Sequence, residues 1–199
     1  MQDFVRQNYQ WTQRELYGGA FFHQIAKPIC NVDNMSQYII ELLEHQVIPD
    51  EESVQYHFND LVECNKAETP SILNVRKLEP SELSNLQLKT EYVGYLLKGT
   101  QIIIPNKKVN DSRDFVTILM LLLRIPQFDV DVLLSLNIPD KTPNAQGHAQ
   151  GSGDSEEYKQ HLVQMEAVFQ ESLNTLSFPD MKKIQELFAV EQDGDVKMD

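Results

Sequence analysis

Phe115-Val116-Thr117-Ile118-Leu119-Met120-Leu121-Leu122-Leu123-Arg124-Ile125, a break at Pro126-Gln127, and then Val130-Asp131-Val132-Leu133-Leu134-Ser135-Leu136-Asn137-Ile138 decide how this chain folds. Each run is too short to cross a bilayer, and proline punctuates them where a ladder hydrogen bond would otherwise be needed. The simplest reading is two neighbouring antiparallel strands joined at the proline.

Outward from that pair, the chain offers more strands before it and a helix after it. Leu16 to Ile25 has the β-branched and aromatic content of one strand, with Gly18-Gly19 marking a bulge or close backbone approach. Tyr38 to Glu44 is strand-like in density and flanking, although its period alone also fits a helix. Acids at Asp50, Glu51 and Glu52, followed by Val54, Phe58, Leu61 and Val62 at helical spacing, predict a helix over 51–66. Ser71 to Glu79 and Glu91 to Ile104 read as strands, the second with bends at Gly94 and Gly99. A stretch rich in Gly, Pro and Ser from 139 to 155 reads as a flexible loop. Beyond it Tyr158, Leu162, Met165, Val168, Phe169 and Leu173 share one face of an amphipathic helix that should pack back on the sheet. The organisation expected is an extension over 1–14, one domain over 15–190, and a polar tail over 191–199.

The 199 residues suit one domain with a real hydrophobic core. Seventeen Lys and Arg against thirty Asp and Glu give a formal charge of −13, which repels a phosphate backbone and disfavours nucleic acid. A basic protein partner is the natural complement, while solubility alone also accounts for the sign. Cys30 and Cys64 have no ligand or disulfide spacing around them. No long apolar run indicates a signal peptide or a membrane span, so a reduced nuclear or cytoplasmic location, without membrane insertion, is expected.

Catalytic chemistry is poorly represented. Gly18-Gly19 lacks the spacing of a nucleotide-cradling loop. His57, Asp60 and Cys64 fall on one side of the predicted helix and form the best catalytic or metal-like grouping, read here as a boundary histidine and a small buried cysteine framed by Phe58 and Leu61. Glu41 and Glu44 lie an odd number apart on a strand, which sends them to opposite faces and argues against joint acid–base work. His148 sits among Gly and Gln and reads as solvated. No cofactor or metal is expected.

Four segments, in order, resemble the Ran guanine nucleotide release factor family: Leu16-Tyr17-Gly18-Gly19-Ala20-Phe21, Ile39-Ile40-Glu41-Leu42-Leu43-Glu44, Tyr56-His57-Phe58-Asn59-Asp60-Leu61, and Leu123 through Pro139. The resemblance implies an α/β/α sandwich around a mainly antiparallel sheet, similar to the PsbP-like fold. It implies a non-catalytic monomer that binds the GTPase Ran, promotes guanine nucleotide release and supports nuclear protein import. Vertebrate relatives are also linked to surface delivery of a voltage-gated sodium channel, so an adaptor or trafficking chaperone is the alternative.

One departure stands between Ile25 and Tyr38. Relatives carry there a longer segment of the form Leu-Arg-x-Val-Pro-Asp-x-Gln-Glu-Val-Phe, with acids of the Ran-associated surface, where this chain has only Ala26 to Gln37. That marks a splice variant or a diverged member, and loss of a strand there would open a sheet edge. The acids left near the matching segments are Asp33, Glu41, Glu44, Asp60 and Glu63, as partner contacts or as solvated surface charges.

Overall fold

The computed structural model describes residues 13–16, 20–25, 36–86, 91–104, 113–140 and 151–176, the first two stretches as backbone only. Among them run β1 (Gln13–Leu16), β2 (Ala20–Ile25), β3 (Gln37–Glu44), α1 (Asp50–Asn65), β4 (Glu68–Lys77), β5 (Val93–Ile103), β6 (Asp114–Ile125), β7 (Val130–Pro139) and α2 (Glu156–Thr175). The strands form one sheet in the order β1-β2-β3-β7-β6-β5-β4, and every neighbouring pair is antiparallel.

The hairpin read from the sequence is at the centre of this sheet. β6 and β7 pair from Val116↔Pro139 to Ile125↔Val130. Pro126–Phe128 forms a single 3-10 turn between them, closed by Asp129 in the left-handed region at φ 56°. The run is almost continuously apolar because β6 has a neighbouring strand on each side and a layer on each face, so residues 116–125 are all buried.

Alternation along the strands separates two cores. Val116, Ile118, Met120 and Leu122 of β6, with Tyr95, Leu97 and Leu133, meet Val54 and Phe58 of α1. Leu119, Leu121, Leu123 and Ile125, with Tyr38, Leu42 and the even-numbered positions of β7, meet Tyr158, Met165, Phe169 and Leu173 of α2. One helix therefore covers each face, giving an α/β/α sandwich.

α1 begins with three acids in its first turn and ends at Lys66 in the left-handed conformation, where Lys66 N–H and Ala67 N–H reach the carbonyls of Glu63 and Val62 at 3.0 Å each. α2 is capped by Ser155, whose hydroxyl accepts from Tyr158 N–H at 3.0 Å. The end of the loop before α2 is held against its start: Gly153 N–H donates to Asp140 at 2.9 Å, and Gly151 lies so close that an added Cβ would collide with the Asp140 side chain. Residues 141–150 of that loop lie outside the described residues, as do residues 1–12 of the N-terminal extension and the tail.

Two expectations change, and a third position gains a packing reason. Leu16 to Ile25 is not one strand: β1 and β2 pair back on each other, Leu16 opposite Ala20, and Gly18-Gly19 lies outside the described residues between them. Gly99 leaves room for Phe58, whose ring would stand 2.5 Å from an added Cβ, and the register of β4 against β5 shifts between Glu68 and Ser71 and between Ile72, the partner of Gly99, and Asn74. β3 does not present an open edge, because β2 pairs with it from Phe21↔Leu42 to Ile25↔Tyr38. The outer strands are β1 and β4, and Pro70 in β4 is where proline is tolerated.

Candidate partner-binding surface

The acids singled out from the sequence are distributed by strand parity and helix phase. Glu41 in β3 points to the α1 side with Leu43 and is 7% exposed. Glu44, three residues on, is exposed and belongs to the other face, as an odd separation requires. Asp60 and Glu63 are exposed on α1. Asp33 lies outside the described residues.

Glu41, Asp60 and Glu63 come together electrostatically around the end of α1. Burial first, and then the charge of Asp60, push the Glu41 carboxyl up to about 7. The Cys64 thiol is also raised, by desolvation and then by Asp60, Glu41 and Glu63. Cys64 is exposed rather than buried, because the last turn of α1 has passed the edge of its core. A thiol held in its neutral form by carboxylates is a poor nucleophile, so this cysteine has no catalytic setting.

His57 also departs from the boundary position expected. It is 5% exposed and turns away from Asp60 and Cys64 towards Asp131, with Nε2 3.2 Å from Oδ2. The helical grouping His57, Asp60 and Cys64 is therefore split between the interior and the surface. Among the described residues no group of three or more His, Cys, Asp or Glu side chains is arranged so that it could hold a metal ion.

Asp131 is the centre of a buried network that sequence reasoning missed. His45 Nδ1 lies 2.8 Å from its Oδ1, and Arg124 Nε donates to the same oxygen at 3.3 Å. Arg124 also donates to Ile48 carbonyl at 2.9 Å, to Asp50 Oδ1 at 2.7 Å, and to the carbonyl of Gln46. Desolvation works against the Asp131 carboxylate, but hydrogen bonds from His57 and His45 and the Arg124 charge outweigh it and hold the group below the usual carboxylate range. The available signal was an arginine and an aspartate inside otherwise apolar strand sequence. Mechanically the network pins the connection 45–49 and the start of α1 onto the β6–β7 hairpin, and so fixes where α1 carries Asp60 and Glu63 relative to Glu41.

Comparison with a known family covers three of the four resembling segments, all but Leu16 to Phe21. A family model described as the Ran-interacting Mog1 protein matches residues 29–139. The chain is 28% identical over 143 residues to the Ran guanine nucleotide release factor of Danio rerio, covering 63% of this chain and 77% of that protein. It is 33% identical over 142 residues to the Ran guanine nucleotide release factor of Bos taurus, covering 62% and 74%. Among solved structures it is similar to the Saccharomyces cerevisiae Ran-binding protein Mog1p, with 22% identity, a TM-score of 0.40, and coverage of 63% of this chain and 64% of that one.

Proposed function

Because the chain belongs to the Ran-interacting Mog1 protein family, we propose that it binds the GTPase Ran through the acidic surface of α1 and β3, promotes release of guanine nucleotide, and thereby supports nuclear protein import from the nucleus and cytoplasm. The observation that carries this reading is the family match over residues 29–139, which runs from before β3 to the end of β7 and includes Glu41, Asp60 and Glu63. Relatives named Ran guanine nucleotide release factor in Danio rerio, Bos taurus and Homo sapiens support the same reading.

The action is one of binding and not of bond chemistry. A binder shifts only an equilibrium for which it has differential affinity, so release requires tighter association with nucleotide-free Ran than with Ran carrying GTP or GDP. The chain's charge of −13 complements a basic partner face. Titration of purified Ran in its GTP, GDP and nucleotide-free states tests the proposal: strongest binding to the nucleotide-free form is expected, and equal affinity for all three removes the driving force.

A second reading, an adaptor or trafficking chaperone for a membrane ion channel, is favoured by the short stretch Ala26 to Gln37 in place of the longer acidic segment. It predicts Ran binding without accelerated release, or no Ran binding at all.

A further inference from the structure

Exposure along α1 follows the helical period: Ser53, Val54, His57 and Phe58 are buried, while Glu52, Gln55, Tyr56, Asn59, Asp60 and Glu63 are exposed. Tyr56 is the large hydrophobic side chain on this outward face, and it is 46% exposed. Glu52 and Asp60 stand four residues to either side of it, a spacing that stacks side chains one turn apart with Cβ atoms about 5–6 Å from each other. The helix contains no lysine or arginine, and the arginine that does reach it, Arg124, is engaged at Asp50 in the first turn. An exposed aromatic ring therefore has a carboxylate one turn above and one turn below it.

The ring is also held. Tyr56 packs edge-to-face on the imidazole of His57, with centroids 5.4 Å apart and ring planes at 80°. His57 is itself fixed from the interior, its Nε2 lying 3.2 Å from Asp131 Oδ2. A tyrosine set in this way has little side-chain freedom left to lose when a partner covers it.

We infer that Tyr56 is the anchoring contact of the α1 surface, and that its occupant is one arginine of the GTPase partner, with the guanidinium on the outward face of the ring and hydrogen-bonded to the flanking carboxylates of Asp60 and Glu52. The inference rests on the Ran-binding reading for the protein that presents the arginine, and on α1 alone for the chemistry. An aromatic face attracts a cation, and arginine suits this one better than lysine because its planar, weakly hydrated group stacks on a ring while its edge donates to a carboxylate. Charge spread over the surface guides encounter, whereas a packed aromatic contact slows escape. Tyr56 is then a determinant of dissociation, and the acids around it are determinants of association.

Stopped-flow measurement of association and dissociation between Ran and the whole chain separates the two roles. Tyr56→Leu should dissociate about tenfold faster, with an association rate and salt slope close to wild type, while Tyr56→Phe, which keeps the ring and its contact with His57, should stay within about twofold. In parallel, NMR of the Tyr56 ring in the whole chain, titrated with tri-arginine and with tri-lysine peptides, should show the larger shifts with tri-arginine. If Ran binds and Tyr56→Leu leaves as slowly as wild type, the inference is overturned while Ran binding stands. Equal losses in Tyr56→Phe and Tyr56→Leu would assign the contribution to the hydroxyl and overturn it as well. If Ran does not bind but tri-arginine shifts the ring signals beyond tri-lysine, the arginine site stands and the Ran reading fails. Equal shifts from the two peptides overturn the arginine assignment whether or not Ran binds.

Discussion

Arg124 and Asp131 stand directly opposite each other in the β6–β7 register, both with no measurable exposure, and Arg124 Nε donates to Asp131 Oδ1 at 3.3 Å. The pair spans the hairpin bend and also holds Gln46, Ile48 and Asp50, so a single arginine joins the central hairpin to the start of the helix that carries the acidic surface.

Removing one member leaves the other charge buried without its partner. Arg124→Met should destabilise the fold by about 3–5 kcal/mol, read as a lower urea midpoint. Because Arg124 also supports Gln46 and Ile48, the α1 amide signals should lose protection before those of β6. A midpoint within experimental scatter of wild type would show that the network is not structural.

The two buried acids on the α1 side titrate in opposite senses. Asp131 is held low, so its stabilisation is present above the ordinary carboxylate pKa and is lost as pH falls through its folded value. Glu41 is raised from 4.5 to about 7, so the folded state keeps a proton that the unfolded chain gives up in that window. Its contribution is full below 4.5 and declines as pH rises through 7, by roughly 3 kcal/mol at about 1.4 kcal/mol per pH unit. Melting curves of wild type and Glu41→Gln should agree at pH 4.5 and separate by pH 8, with the variant melting higher. Parallel curves across that range would contradict the assignment.

Gly99 and Phe58 form a second tight pair. Gly99→Ala places a methyl group 2.5 Å from the Phe58 ring, on a strand whose backbone is fixed by β4 and β6. A cost of about 1–3 kcal/mol is expected from overpacking, and Phe58→Leu in the same chain should recover part of it. Simple additivity of the two losses would mean the close approach is not what the glycine is for.

Electrostatic steering should be visible in the kinetics. With Asp60 and Glu63 exposed on α1 and the chain at −13, association with a basic face should slow as salt rises, because the Debye length is only about 8 Å at physiological ionic strength. Stopped-flow association with Ran should show that slope in wild type and a flatter one in Asp60→Ala/Glu63→Ala. A salt-insensitive wild-type rate would assign the charge to solubility alone.

The elements most legible in the sequence are those whose burial pattern is written in single residues. The apolar run of β6, the 3.6-residue spacing of Tyr158, Met165, Phe169 and Leu173, and the acids opening α1 all describe contacts within or directly beside their own element. What was hidden depends on register and layer order. Gln13 to Leu16 has no alternating pattern and is a strand through its pairing with β2. Arg124 meets Asp131 only because the turn at Pro126–Asp129 sets the hairpin register, and His57 joins them only because α1 lies on that face. For the candidate site, parity correctly separates Glu41 from Glu44. It does not reveal that Glu41 is enclosed, which takes the packing of α1 above it and β7 beside it.

Promotion of nucleotide release is tested most directly by following a fluorescent guanine nucleotide as it leaves purified Ran while this chain is added in increasing amounts. Binding that favours the nucleotide-free state predicts a release rate that rises with concentration and then saturates, and that weakens in Asp60→Ala/Glu63→Ala. A release rate at saturating protein equal to the rate for Ran alone would contradict it.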